Sequence, residues 1–262
     1  NEQTREDYVT ALCGEIRAQA SLYRNYCVKT VFFGGGTPSL LTGVQIGRIM
    51  KELRDNFQFA DEFGEKMEIT MEANPGTLSA ENLHAYRQAG INRLSIGLQS
   101  ADEEELRRLG RIHTWQEFLD NFAAAREAGF DNVNVDLMSA LPGQSVESWM
   151  GTVQKVVELD PEHISAYSLI VEEGTPFFEW YGEESDALPT EDDDRRMYAW
   201  TKEYLAEKGY ARYEFSNYAK PGFECRHNSS YWKRIDYAGL GLGSSSLRQN
   251  VRWNNTSDLK KY

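Results

Sequence analysis

Ala89-Gly90-Ile91-Asn92-Arg93-Leu94-Ser95-Ile96-Gly97-Leu98-Gln99-Ser100 is the stretch on which the fold turns. A glycine after a helical run supplies a left-handed C-cap, and the chain then drops into a segment that alternates polar and apolar residues. The same phrase returns at Ala128-Gly129-Phe130-Asp131, followed by Asn132-Val133-Asn134-Val135-Asp136-Leu137. Each repeat is a helix exit feeding a strand, so the unit is βα, with parallel strands and outer helices.

Outward from this centre the alternation continues. On the N-terminal side a helix is predicted from about Thr4 to Tyr26, then strand-like Lys29–Phe33 and Gly34-Gly35-Gly36. A helix with Ile46, Ile49, Met50 and Leu53 on one face follows, then a strand at Glu68–Ala73 and a helix at Ala80–Ala89. On the C-terminal side Thr114-Trp115-Gln116-Glu117 is a capping box opening a helix with Phe118, Phe122 and Ala125. The strand Asn132–Leu137, the helix Val146–Leu159 and the strand His163–Ile170 complete the series. The first element is a helix, and a leading strand before it would make six. The expected class is α/β: a partial (β/α)6 barrel lacking its first strand here. After Ile170 come a loop at Glu172–Pro176, aromatic Phe177–Tyr181, and an acidic run Asp186–Asp194 that opens a helix at Thr190. Short aromatic strands follow from Gly209. The expected division is residues 1–185 for the barrel and 186–262 for a small C-terminal accessory unit.

In three strands one face is apolar: Ile69/Met71, Leu94/Ile96/Leu98 and Val133/Val135/Leu137. The other carries Glu68/Thr70/Glu72, Arg93/Ser95/Gly97/Gln99 and Asn132/Asn134/Asp136. Strand side chains alternate between faces, so helices cover the apolar side and the inner side is polar. A packed eight-stranded barrel is filled instead by branched apolar residues. Isolated buried carboxylates are costly, so such a lumen is expected to hold a ligand or water.

Composition narrows the partners. The 262 residues carry 28 Lys and Arg against 41 Asp and Glu, a net charge of −13. No basic surface at domain scale is available to neutralise phosphates, which excludes a nucleic-acid partner at that scale. No apolar run reaches the length of a membrane span and no signal peptide opens the chain, so a cytoplasmic protein is expected. Cys13, Cys27 and Cys225 lie far apart and form no CxxC or CxxxCxxC spacing, which reads as reduced thiols.

Function in parallel barrels gathers at C-terminal strand ends. Here these are Gly34-Gly35-Gly36-Thr37-Pro38, Glu72-Ala73-Asn74-Pro75-Gly76, Gln99-Ser100 and Asp136-Leu137-Met138, with Arg111 shortly after the Gln99 strand. The triple glycine lets a ligand approach the backbone, or makes a tight turn or a plain phosphate site; it is not a Walker loop. The set suits a zwitterionic nucleoside. Carbonyls at Gly35 and Gly36 and the Glu72 carboxylate can accept from an ammonium. Arg111 can bind a carboxylate bidentately, and Gln99 and Asp136 can hold ribose hydroxyls.

Val31-Phe32-Phe33-Gly34-Gly35-Gly36-Thr37-Pro38-Ser39, Glu72–Gly76, Asn92–Ser100, Leu109-Gly110-Arg111-Ile112-His113 and Asp136-Leu137-Met138 with Leu141-Pro142-Gly143 resemble the radical S-adenosylmethionine (SAM) family. Within it they are similar to the group of oxygen-independent coproporphyrinogen III oxidase and its heme-chaperone relatives. The resemblance implies that Gly35, Gly36, Thr37, Glu72, Gln99, Arg111 and Asp136 bind SAM, and that a 4Fe–4S cluster is held by a CxxxCxxC motif, absent from this sequence and expected upstream of Asn1. His227-Asn228-Ser229-Ser230-Tyr231-Trp232 resembles the HNxxYW motif of the heme-chaperone branch. It implies heme or porphyrin contact by His227, Tyr231 and Trp232 and a heme-receiving protein as partner. From chemistry alone, His and Tyr are heme-iron ligands and Trp offers a flat apolar face; the same residues can equally cap a turn and pack on the barrel. Ala101, Ser139-Ala140 and Ser244-Ser245-Ser246 depart from the group's usual residues and bear on the porphyrin end. The rival expectations are a true oxidase, decarboxylating coproporphyrinogen III, and a cluster-free barrel enzyme acting on a phosphorylated sugar.

Overall fold

The computed structural model describes residues 2–182, 185 and 187–262; Asp186, where the acidic run and the expected second region begin, lies outside them. In chain order the elements open with α1 (Glu2–Gln19), β1 (Cys27–Val28), β2 (Thr30–Phe33), α2 (Gly43–Asn56), β3 (Gln58–Phe59) and β4 (Glu68–Ala73). Then come α3 (Ala80–Gln88), β5 (Arg93–Gln99), α4 (Glu103–Arg108), α5 (Trp115–Glu127), β6 (Val133–Ser139), α6 (Val146–Glu158) and β7 (His163–Ser168). The series closes with α7 (Pro176–Tyr181), α8 (Glu191–Glu207), β8 (Ala211–Arg212), β9 (Asn217–Ala219), α9 (Arg226–Trp232), β10 (Ser245–Arg248) and β11 (Val251–Asn254).

Local chemistry explains the boundaries. The Thr114 hydroxyl accepts from the Glu117 amide at 3.1 Å while Glu117 returns to the Thr114 amide at 2.8 Å, the expected capping box of α5. Thr42 and Gln45 do the same for α2. Gly90 and Gly129 take φ of +100° and +86°, the left-handed exits read from the sequence. The first helix is shorter than expected: α-geometry stops at Gln19 and a tighter turn runs over Ala20–Tyr23.

The chain forms two compact units, interleaved in sequence, and neither ends at residue 185. The first comprises residues 1–70, 81–92 and 225–262. Its core is set by the i, i+3, i+4, i+7 stripe of α1, Val9, Leu12, Cys13 and Ile16, packed with Ile49 of α2 and joined by Tyr8, Phe33, Leu53 and Leu240. Burying each aliphatic chain contributes about 1.5–3 kcal/mol. Glu15, on the same helix, accepts hydrogen bonds from the Tyr262 hydroxyl at 2.6 Å, the Asn255 side-chain amide at 2.6 Å and the Gly241 amide at 2.8 Å. In this unit β1 pairs with β3 in parallel, β10 and β11 form an antiparallel hairpin, and β2 lies beside the opening residues of β4.

The second unit comprises residues 71–80 and 93–224. From the last residues of β4 its sheet runs β4-β5-β6-β7-β9-β8, parallel from β5 to β7. Leu94, Ile96, Leu98, Val133, Val135 and Leu137 are fully buried, as are Phe118 of α5 and Val153 and Val156 of α6. The inner face is polar and also buried: Arg93, Ser95, Gln99 and Asn134. The sheet is mostly parallel and, among the described residues, does not close into a barrel. The strands after Gly209 are edge additions to it: β9 runs antiparallel to β7, and β8 to β9. No helix among the described residues is long and apolar enough to cross a membrane.

Candidate functional site

In the second unit the inner face of the sheet carries one continuous polar network. Ser95 Oγ donates to Asp136 Oδ2 at 2.9 Å and Asn134 Nδ2 donates to Asp136 Oδ1 at 2.8 Å. Asn134 thereby turns its Oδ1 towards His163 Nδ1, and His163 Nε2 lies 2.7 Å from the Tyr213 hydroxyl. An amide oxygen only accepts, so Nδ1 of His163 carries the proton and Nε2 receives the tyrosine O–H. Burial, reinforced by Arg93, holds the His163 pKa well below the ordinary histidine value and keeps the ring neutral. Burial likewise pushes the Asp136 carboxyl up, while Ser95, Asn134, Ser165 and Arg93 pull it back.

At the strand ends Gln99 closes β5 with a φ of +72°, where the β5–β6 register slips between Gly97 and Gln99. Its Oε1 accepts from the Tyr167 hydroxyl at 3.0 Å. A Cβ on Gly97 would lie 3.0 Å from Gln99 Nε2 and 3.2 Å from Asn74 Oδ1, so that glycine makes room for two polar side chains. Arg111 Nη1 reaches Asn74 Oδ1 at 3.5 Å. His113 bonds the Leu98 carbonyl at 3.2 Å and, being buried, has its pKa lowered. Tyr167 shows how these groups converge. Its pKa is pushed up to about 12, first by burial, then by the Asp136 charge; the Gln99 bond and Arg111 oppose this, and Glu72 adds to it. Of the expected residues, Gln99 bonds this hydroxyl directly, and the charges of Asp136, Arg111 and Glu72 bear on it electrostatically. Tyr167 was missed from the sequence, although it continues the polar face of β7 two residues after Ser165.

The other expected residues belong to the first unit. Gly35 and Gly36 have φ of +78° and +63°, and a Cβ on either would meet nothing within 4 Å, so the backbone turn itself requires glycine. Thr37 follows with φ of −144° and ψ of 84°, just before a tight turn at Pro38–Leu40.

The HNxxYW segment is α9. Glu68 anchors its start, accepting the Arg226 amide at 2.8 Å, the His227 amide at 2.9 Å and, more weakly, the Cys225 thiol at 3.4 Å. His227 is held on three sides. Nδ1 is 2.8 Å from Thr30 Oγ1, Nε2 is 2.8 Å from the Tyr231 hydroxyl, and the ring stacks on Phe32 at 5.0 Å. Tyr231 also meets Tyr237 edge-on at 4.9 Å. Tyr231 and Trp232 are 45% and 61% exposed, an aromatic surface beside the histidine. Cys225 is fully buried and Cys27 exposed. No group of three His, Cys, Asp or Glu side chains among the described residues is arranged to hold a metal ion.

With inward acids, an amide and a guanidinium at the parallel strand ends, the chain belongs to the radical SAM superfamily, whose family profile matches residues 3–156. Among curated proteins it is similar to heme chaperones named HemW. It is 41% identical over 243 residues to that of Escherichia coli K12, covering 93% of this chain and 62% of that protein. It is 35% identical over 260 residues to that of Bacillus subtilis 168, covering 99% and 68%. This chain thus spans between three-fifths and just over two-thirds of these relatives. Among solved structures, coproporphyrinogen III oxidase (HemN) from Escherichia coli, described as a radical SAM enzyme, superposes with a TM-score of 0.83 at 29% identity, over 100% of this chain and 62% of that one. Elp3 of Methanocaldococcus infernus shares the fold at a TM-score of 0.58 and 18% identity, over 73% of this chain and 49% of that one. These matches bear out the family and the coproporphyrinogen oxidase and heme-chaperone group expected from the motifs.

Proposed function

We propose that this chain is the SAM-binding and heme-handling part of a cytoplasmic heme chaperone built on a radical SAM scaffold. Arg111 holds the methionine carboxylate of SAM. In the second unit Glu72 takes the methionine end, and Gln99 and Asp136 take the ribose side; in the first unit the backbone at Gly35, Gly36 and Thr37 is the part that the family resemblance assigns to SAM. The donor set fits that molecule: acids and an amide for its ammonium and hydroxyls, a guanidinium for its carboxylate. Bound SAM supplies, in this superfamily, a sulfonium that a reduced 4Fe–4S cluster can cleave. The three cysteines of this chain do not form a cluster cradle. Heme docks at α9 on His227, Tyr231 and Trp232, and passes to a receiving protein.

The geometry that supports the SAM reading is the cluster at the strand ends of the second unit, where the Gln99 amide meets the Tyr167 hydroxyl at 3.0 Å, Arg111 reaches Asn74 at 3.5 Å and Asp136 is held by Ser95 and Asn134. Chaperone rather than oxidase is supported by the HNxxYW segment, with its exposed Tyr231 and Trp232, and by the names of the curated relatives. In the intact protein, Arg111→Ala is expected to weaken SAM binding by calorimetry about 10- to 100-fold, the loss of a charge-assisted pair, and to leave heme binding in place. His227→Ala is expected to do the reverse. Loss of both ligands in both variants, or formation of decarboxylated porphyrinogen by the intact protein, would count against the proposal; the latter selects the oxidase.

A further inference from the structure

The paired nitrogens of His227 carry an inference that rests on the heme reading and goes further. A neutral imidazole has one N–H and one lone pair, and an iron ligand must present the lone pair. Both nitrogens of His227 are 2.8 Å from a hydroxyl, Nδ1 from Thr30 and Nε2 from Tyr231. The two hydroxyls differ. A phenol, ionising near 10, is the stronger donor, whereas an aliphatic hydroxyl accepts readily. The favoured arrangement is therefore Tyr231 O–H donating to Nε2 and Nδ1–H donating to Thr30 Oγ1. The two partners also differ in how firmly they are held. Thr30 is a β-branched residue on β2, stiff at χ1, and Phe32 of the same strand stacks on the ring. Tyr231 stands on the exposed side of a seven-residue helix.

We infer that Thr30 is the positioning residue of the heme ligand: it holds Nδ1–H of His227 so that Nε2 is the iron-facing atom, and the Tyr231 hydroxyl is a displaceable cover over that lone pair. A ligating histidine that donates its other N–H to a fixed oxygen is oriented and made more basic by it, and loss of such a partner lowers metal affinity about 10- to 100-fold.

The test uses the intact protein. Without heme, nitrogen NMR of isotopically labelled histidine is expected to show Nδ1 protonated and Nε2 bare at His227; the opposite tautomer overturns the inference. Thr30→Val is expected to weaken heme binding, followed at the Soret band, by about tenfold or more, with SAM binding retained, and Thr30→Ser is expected to restore it. Equal affinity in Thr30→Val overturns the inference, as does a Thr30→Ser variant no better than Thr30→Val. Tyr231→Phe uncovers Nε2 and is expected to speed heme association with a histidine-ligated spectrum. Loss of heme binding in Tyr231→Phe overturns the inference and makes the phenolate the ligand. If His227→Ala leaves heme binding intact, the heme reading itself falls and the role of Thr30 with it. If His227→Ala abolishes binding while NMR shows Nε2–H, the heme reading stands and only the positioning role falls.

Discussion

Gln99 and Gly97 show how much of the inner face depends on single backbone positions. A side-chain-bearing residue in the left-handed region costs about 1–3 kcal/mol, and Gln99 occupies it at a φ of +72°. What it gains is the aim of its amide, bound to Tyr167 and set beside Asn74 across the space that Gly97 leaves open. Gly97→Ala would press a methyl against Gln99 Nε2 and Asn74 Oδ1. It is expected to lower stability by about 1–3 kcal/mol through overpacking and to weaken SAM binding by at least about tenfold. Denaturant unfolding and calorimetry check the two effects separately; unchanged SAM affinity would free Gln99 from its proposed role.

At the scale of elements, α9 depends on a carboxylate far away in sequence. Glu68, at the start of β4, receives two amides and a thiol from the first residues of that helix. Glu68→Gln turns one acceptor into a donor facing N–H groups. A stability loss of about 1–3 kcal/mol is expected, with faster hydrogen exchange confined to residues 226–232. Exchange unchanged there would show that α9 is held by its aromatics alone. The elements that were legible in the sequence are those with strong local signals: the Thr114 box, the Gly90 and Gly129 exits, and the alternation of β5 and β6. The polar inner face followed from that alternation. What distant partners fix was less legible. β8 and β9, of two and three residues, read only as short strands after Gly209, and their place on the edge that β7 offers did not show. The polar α9 shows little periodicity, and its anchor lies 158 residues from Arg226. The HNxxYW resemblance marks His227, Tyr231 and Trp232 but not the short helix that carries them. Tyr167 escaped because β7 mixes small and aromatic residues, although its face was fixed by His163 and Ser165.

For the whole molecule, the buried His163 sets a response to acid. Its folded-state pKa is depressed, so the folded protein binds that proton more weakly than the unfolded chain. The associated stability is complete above the unfolded histidine value of about 6.5 and is lost as pH falls below it, by at most about 1.4 kcal/mol per pH unit. Asp136, whose pKa is raised, works the other way in the carboxylate range: its contribution is full at low pH and declines as pH rises. His163→Gln is expected to flatten the fall in melting temperature between pH 7.5 and about 5. A parent protein equally stable at both values would contradict the assigned neutral ring.

The Glu15 hub has a consequence for biosynthesis. Its helix is made well before its partner: the Tyr262 hydroxyl from which Glu15 accepts comes 247 residues later. At about 5–20 residues per second, the nascent helix waits on the order of 12–50 seconds for that partner. For most of that interval the apolar stripe from Val9 to Ile16 lacks its Leu240 contact, a natural holding site for a general folding factor during translation.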